Sequence, residues 1–392
     1  MWRALEGVGR NPATGGYRRY SWTSEDASLG EWFVSEAEAR DLEVAMDRAG
    51  NQWAWWGDPD EGAAAGRPGV AVGSHLDSVP DGGPFDGPLG VISAFASIDV
   101  LRKRGIRPKR SVGVVRFVDE EGARFGVACV GSRLLTGSLS PDKALALRDA
   151  DGMSMADAMS GHGLEIDDVG PDQEALGRVG SFVELHIEQG RGLANTNHPV
   201  AVASAIWPHG RWHLRMVGEA NHAGTTLLGD RRDPMLILAD VVHAARCSAH
   251  RHGCLATIGR VQVQPNAVNA IPSQVDAWLD ARGAHETSVR AVVAEVASAA
   301  NTTAIEESFT PAIEFSSTLR DQIGRILGHV PVISTGAGHD SGILASFGIP
   351  TALLLVRNPT GVSHSPDEYA ERDDCLAGID ALATVLAALA DE

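Results

Sequence analysis

Four short segments of the chain carry residues suited to hydrolytic chemistry, and each follows or ends an apolar run. The first is GSHLDSV followed by GPFDGPLG, with His75, Asp77 and Asp86. The second, VDEEGARFG, presents Asp119, Glu120 and Glu121 in a row, and three adjacent carboxylates repel one another unless a cation or open solvent relieves them. The third, ELHIEQG, puts His186 inside an apolar strand with Glu184 and Glu188 on the same face by the period of two. A buried strand tolerates that only where the polar groups are paired or bind metal. The fourth, GVSHSPDE, sets His364 in a Gly/Ser/Pro loop. Taken singly, each has a plainer reading as a satisfied core imidazole or a solvated acidic turn. Together, three histidines and several carboxylates at the ends of separate strands make the N/O ligand set of a divalent di-metal site. Two ions about 3.5 to 4 Å apart need a bridging carboxylate, and Asp86 can reach both.

Such a cluster requires a scaffold that gathers strand ends. Continuous apolar runs at Val70 to His75, Val112 to Val118, Phe182 to His186 and Thr351 to Val356 predict strands buried on both faces of a mostly parallel sheet. Val91, Phe95, Ile98 and Leu101 predict a helix that starts after Asp86-Gly87 and ends near Gly105, and a last helix is expected from about Asp373 to Leu389. This is α/β order. The middle of the chain reads differently. Arg211 to Val217 and Gln274 to Arg282 alternate apolar with polar residues, as in a half-buried antiparallel sheet. Asp233 caps a helix whose first position is Pro234, and a second helix is expected over Thr287 to Ala300. A smaller α+β domain, residues 203–311, is therefore inserted in a larger α/β domain made of residues 1–202 and 312–392. The stretch Asp58 to Gly69, rich in Gly, Ala, Pro and Asp, is expected to be a surface loop.

Composition narrows the class of function. With 392 residues and 44% hydrophobic side chains the chain can bury a large core, and 33 basic against 51 acidic residues leave a net charge of −18. So acidic a surface repels phosphate backbones, which argues against nucleic acid as a partner. Cys129, Cys247, Cys254 and Cys375 form no CxxC pair, no apolar run approaches the ~20 residues that span a bilayer, and Met1-Trp2-Arg3-Ala4 does not open a secretory signal. The expected setting is a reduced cytoplasm, without membrane contact. Two motifs are set aside. Asn301-Thr302-Thr303 is a chance glycosylation match, and GAGHDSG lacks the lysine of a phosphate loop, so His339 and Asp340 are read as groups lining the metal site.

In the order GSHLDSV, FDGPLG, DEEGARFG, ELHIEQG, ANHAGTT, RRDP, NAVNAIPS, GAGHD and SHSPDE, the chain from about Gly16 onward resembles the hydantoinase/carbamoylase branch of the di-metal aminoacylase-type peptidases. That branch includes allantoate amidohydrolases, N-carbamoyl-L-amino acid hydrolases and β-ureidopropionases. The resemblance implies that His75 and His186 hold one divalent ion (zinc, or manganese, nickel or cobalt), that Glu121 and His364 hold the other, and that Asp86 bridges. It makes Glu120 the general base and Asp77 the residue that orients His75. It also implies a lid and dimerisation role for the inserted domain, and a homodimer. His222 would donate to the developing oxyanion, in the partner's site, and Asn269 and Arg282 would bind a substrate carboxylate, the guanidinium as a two-point fork. An ion pair with Asp280, two residues away on the same strand face, is the competing role for Arg282. Arg231, Arg232 and Asp233 support the loop and the helix start.

The function implied is a metal-dependent amidohydrolase that cleaves the C–N bond of an N-carbamoyl (ureido) or N-acyl amino-acid-like carboxylate, of the allantoate or N-carbamoyl-L-amino acid type. In one place the chain departs from that pattern. Where ureido-binding members have glutamine in a GQRR-like segment, His209 stands here, after Trp207 and Pro208. An imidazole suits a formyl oxygen or a second carboxylate, so an N-formyl- or N-formimino-glutamate-type substrate is the alternative expectation. A di-metal aminopeptidase or dipeptidase is disfavoured by ANHAGTT and GAGHD. A silent binding protein on the same fold is disfavoured by the full ligand set and Glu120.

Overall fold

The computed structural model describes residues 1–391; Glu392, the last residue of the segment 312–392 assigned above, lies outside the described residues. In chain order the strands are β1 (Glu43–Met46), β2 (Gln52–Trp56), β3 (Gly69–His75), β4 (Val112–Phe117), β5 (Val179–Ile187), β6 (Val200–Ile206) and β7 (His209–Val217). There follow β8 (Asn221–His222), β9 (Cys254–Gln264), β10 (Ala270–Ile271), β11 (Gln274–Gly283), β12 (Ile305–Thr310), β13 (Ile313–Glu314), β14 (Val332–Thr335) and β15 (Thr351–Val356). They belong to two compact units, Met1–Ser204 with Glu314–Glu392, and Ala205–Ile313.

In the first unit the strands lie in the order β1-β2-β4-β3-β5-β15-β6. The middle of this sheet, β4-β3-β5-β15, is parallel, and antiparallel strands flank it. Period two divides the apolar runs between two cores. Val70 and Val72 pack with Val91, Phe95, Ile98 and Leu101 of the helix Pro88–Lys103 and with Leu382 and Leu386 of the helix Arg372–Leu389. Ala71, Val115, Phe117 and Phe182 face Trp53, Trp55, Leu134 and Leu344 on the other side. Each large apolar side chain fully buried in this way contributes about 1.5–3 kcal/mol. Because the central strands are parallel, their carboxyl ends share one edge of the sheet, the edge at which open α/β sheets bind ligands. His75 ends β3, the run Asp119-Glu120-Glu121 follows β4, and His186 is the penultimate residue of β5.

The second unit is a four-stranded antiparallel sheet in the order β12-β7-β11-β9. Trp212, Leu214 and Met216 from β7 and Val275, Ala277 and Leu279 from β11 form its core with Leu238, Val241 and Ala245 of the helix Pro234–His252 and Val289, Val292 and Val296 of the helix Glu286–Ala299. The Asp233 side chain accepts the Met235 N–H and Pro234 opens the first of these helices, as the sequence predicts. The stretch from Asp58 to Gly69 is not loop throughout. Pro59–Ala64 is helical, with Asp58 Oδ1 accepting from the backbone N–H of Asp60 and Glu61. Asp-Pro followed by two acids is a helix start, a signal outweighed by the glycines and the short length. Among the described residues no helix is long and apolar enough to cross a membrane.

Candidate functional site

The four chemistry-bearing segments converge in the first unit. Asp86 is 5% exposed and stands between three imidazoles. Its Oδ1 lies 3.5 Å from His75 Nε2 and 3.2 Å from His186 Nε2, while its Oδ2 lies 3.4 Å from His364 Nε2. His364 Nε2 is in turn 3.5 Å from Glu121 Oε2. The carboxylate thus splits its two oxygens between two donor sets, His75 with His186 and Glu121 with His364. His75 and His186 are buried, whereas the His364 side chain is half exposed, which opens the cluster to solvent on that side.

Backbone carbonyls fix the tautomers of the two buried rings. His75 Nδ1 faces the Asp77 carbonyl at 3.1 Å and His186 Nδ1 faces the Ile187 carbonyl at 2.9 Å. A carbonyl only accepts, so each Nδ1 holds the proton and each Nε2 lone pair is aimed at Asp86. Both Nε2 atoms are buried without a hydrogen-bond partner, a condition that folded proteins avoid unless another ligand satisfies the atom. Their separation from Asp86 is also what a cation held between them requires. On this ground the donor set fits divalent metal.

Charge points the same way. Among the described residues, every ion pair made by Asp86, Glu120 and Glu121 is with an imidazole. Burial, with Asp86 close by, pushes Glu121 up to about 7. Burial, abetted by Glu121 and Asp340 and opposed by His75, drives Glu120 well above the usual carboxylate range. Asp86 goes the other way: burial would raise it, but the three surrounding imidazoles, when protonated at Nε2 in the absence of a cation, donate to it and hold it well below that range. A bound divalent ion would favour the carboxylate form of all three.

Asp77 has a wider role than orienting His75. Its Oδ1 is 3.4 Å from His75 Nδ1, and its two oxygens accept the backbone N–H of Glu120 at 3.2 Å and of Glu121 at 3.0 Å. One carboxylate therefore ties the end of β3 to the acidic turn after β4. Glu120, 6% exposed, sits with Oε2 3.9 Å from His75 Nε2 and Oε1 3.4 Å from Cys129 Sγ. Gly87 allows this closeness: it has φ +83°, and a Cβ there would lie 2.6 Å from the His75 ring. His339 packs its buried ring edge-on against His186 at 4.5 Å, and buried Asp340 accepts from Ser132 Oγ.

Two side chains in these motifs have contacts that spacing did not indicate. Gln189 donates from Nε2 to Asp86 Oδ2 at 2.9 Å and to Ser363 Oγ at 3.0 Å. Glu368, buried, accepts the backbone N–H of Phe85 at 2.8 Å and of Asp86 at 3.0 Å. Glu184 and Glu188, which share a strand face with His186, are satisfied within the protein. Glu184 accepts from Ser74 Oγ and Ser341 N, and Glu188 from the backbone N–H of Gly192 and Leu193.

The remaining predicted site residues lie in the second unit. His222 and Asn269 are exposed; His222 pairs with Ala270 between β8 and β10, and the Asn269 carbonyl accepts the Ala223 N–H at 3.0 Å. His222 Nδ1 accepts from Gly224 N at 3.0 Å, so Nε2 carries the proton and is a donor. Arg282 is opposite His209 across the β7–β11 ladder and makes a two-point ion pair with Asp280, at 2.7 and 3.0 Å. His209 Nδ1 faces the Trp207 carbonyl at 2.9 Å.

The chain is 36% identical over 393 residues to an N-carbamoyl-L-amino acid amidohydrolase of Geobacillus stearothermophilus, covering 96% of this chain and 93% of that one. To the allantoate amidohydrolase of Escherichia coli it is 32% identical, covering 98% and 96%. The crystal structure of a hydantoinase/carbamoylase family amidase from Burkholderia vietnamiensis superposes with a TM-score of 0.88 at 27% identity, covering all of this chain and 96% of the other. The segment that matches peptidase family M20/M25/M40, residues 71–388, contains Asp86, the imidazoles around it and the three acids of the turn after β4, and the chain is a member of that family of metal-dependent hydrolases.

Proposed function

We propose that the protein is an amidohydrolase that binds two divalent ions and cleaves the C–N bond of an N-carbamoyl amino-acid-like carboxylate. The observation that carries this reading is the division of the Asp86 oxygens between His75 with His186 and Glu121 with His364, beside a buried Glu120 that faces neither a lysine nor an arginine. When bound, the ions supply Lewis acidity, polarising the scissile carbonyl and lowering the pKa of a water. Glu120 takes the proton of the attacking water and passes it to the leaving nitrogen. Asp77 holds the backbone of Glu120 so that the carboxylate stays on the His75 side of the cluster. The ureido names of the relatives support the choice of bond.

The N-carbamoyl and allantoate names of the relatives favour the ureido substrate over the formyl one. The metal-loaded enzyme is expected to show its highest kcat/KM on allantoate or an N-carbamoyl amino acid among a panel that includes N-formylglutamate and dipeptides. A higher value for the formyl or peptide substrates would overturn the assignment.

The substrate-binding residues of the second unit support a homodimer. In the β7–β11 register Arg282 faces His209, while Gln274, eight residues away, faces Val217. Eight residues of strand span ~27 Å, so His209 with Arg282 lie at one end of this sheet, and His222 with Asn269, in the separate β8–β10 ribbon that continues from Val217 and leads into Gln274, lie beyond the other. A substrate of amino-acid size cannot touch both ends of one copy. We read the pair with His222 as the partner's contribution to the site. Mixing inactive Glu120→Gln and His222→Ala chains should regenerate activity, because one of the two mixed sites holds both intact groups. After verified subunit exchange, an unchanged background rate would exclude the crossed arrangement.

A further inference from the structure

Glu368 is a buried carboxylate to which the reaction gives no task, in the same loop as His364 and close to Asp86. Its Oε2 accepts two consecutive backbone N–H groups, from Phe85 and Asp86. Its Oε1 accepts from Ser363 Oγ at 3.3 Å, and the same hydroxyl lies 3.4 Å from Asp86 Oδ2. The Glu368 backbone N–H is bonded to the Ser365 carbonyl, which closes the turn immediately after His364. One side chain therefore joins two loops that are 282 residues apart in sequence, one bearing Asp86 and the other His364.

These contacts bear unequally on the two donor sets. His75 and His186 are fixed from their own strands by the Asp77 and Ile187 carbonyls. His364 belongs to no strand or helix, is half exposed, and meets its partners Asp86 Oδ2 and Glu121 only if its loop stays in place. Resting on the two-ion reading above, we propose that Glu368 is a positioning residue for the second ion alone: it holds the Asp86 and His364 loops in the register at which both side chains reach one ion. A carboxylate accepting two backbone N–H groups and a hydroxyl is rigid, and groups that orient metal ligands in this way are worth roughly 10- to 100-fold in metal affinity.

The assignment makes glutamine and leucine differ at this position. Glu368→Gln keeps its carbonyl oxygen where the two N–H groups converge, and Ser363 can rotate to accept from the new amide. Glu368→Leu keeps the bulk and loses every bond. Titration of the metal-free proteins with Co²⁺, followed by calorimetry and by visible absorption of the bound ion, reads stoichiometry and affinity without turnover. Wild type is expected to take up two ions per chain, and Glu368→Gln to bind both within about threefold of wild type. Glu368→Leu should keep the first and bind the second ~10- to 100-fold more weakly. Loss of both ions from a folded Glu368→Leu chain, or unchanged affinity for both, would overturn the proposal, and so would Glu368→Gln behaving like leucine. If Glu368→Leu does not fold, Glu368→Ala, which loses the same bonds without an apolar side chain forced among polar groups, should weaken the second ion selectively, and an unchanged second affinity there would also overturn it. Wild type that binds fewer than two ions would instead refute the two-ion reading itself.

Discussion

Glu120→Gln is expected to lower kcat by ~10²- to 10⁴-fold, the usual effect of removing a positioned acid/base, while leaving metal uptake and KM close to wild type. Glutamine keeps the volume in a buried site and can still accept from Cys129, but it cannot take a proton from water. The backbone of residue 120 stays anchored through its N–H to Asp77, so the substitution tests proton transfer and not the placement of the turn. Parallel measurement of kcat, KM and metal content decides it. Near-normal turnover with full metal content would remove Glu120 from the reaction.

Removing Asp86 should have the larger structural consequence. Asp86→Ala takes away the carboxylate that faces all three imidazoles, so both donor sets lose a member at once. Turnover is expected to fall below detection and metal content to fall for both ions, and chelation of the wild type should reproduce the loss until divalent metal is restored. Stability provides a second readout. A ligand at a hundred times its Kd stabilises the folded state by about 2.7 kcal/mol. Wild type should therefore melt at a higher temperature with metal than with chelator, while Asp86→Ala melts at nearly the same temperature in both. A metal-induced rise of equal size in the variant would place the ions elsewhere.

The fold class was legible because the signals were redundant. Val70 to His75 and Thr351 to Val356 are apolar without interruption, which suits strands covered on both faces, and β3 and β15 are buried along their whole length. The alternation in Arg211 to Val217 is equally explicit about one covered face. Within the site, residue type and position at or after strand ends were enough to group His75, Asp86, His186 and His364 with the acidic run after β4, while the choice of Glu121 within that run came from the resemblance to the amidohydrolase branch. What the sequence withheld was who bonds to whom. Glu368 reaches the amides of residues 85 and 86 only because the chain closes on itself, and no local pattern encodes that. Asp77 looked like a partner for its near neighbour His75, and its bonds to two amides after β4 depend on the register of adjacent strands.

The place of β15 in the sheet governs when the site can exist during synthesis. This strand lies between β5 and β6, yet more than 140 residues, nearly all of the inserted unit among them, are made after β6 and before β15. A nascent chain that ends before Thr351 leaves the edges of β5 and β6 unpaired at that position and has neither His364 nor the carboxylate that steadies the Asp86 loop. On the two-ion reading, the donor set that needs His364 is therefore complete only at the end of translation, whereas His75, Asp86 and His186 are all made earlier.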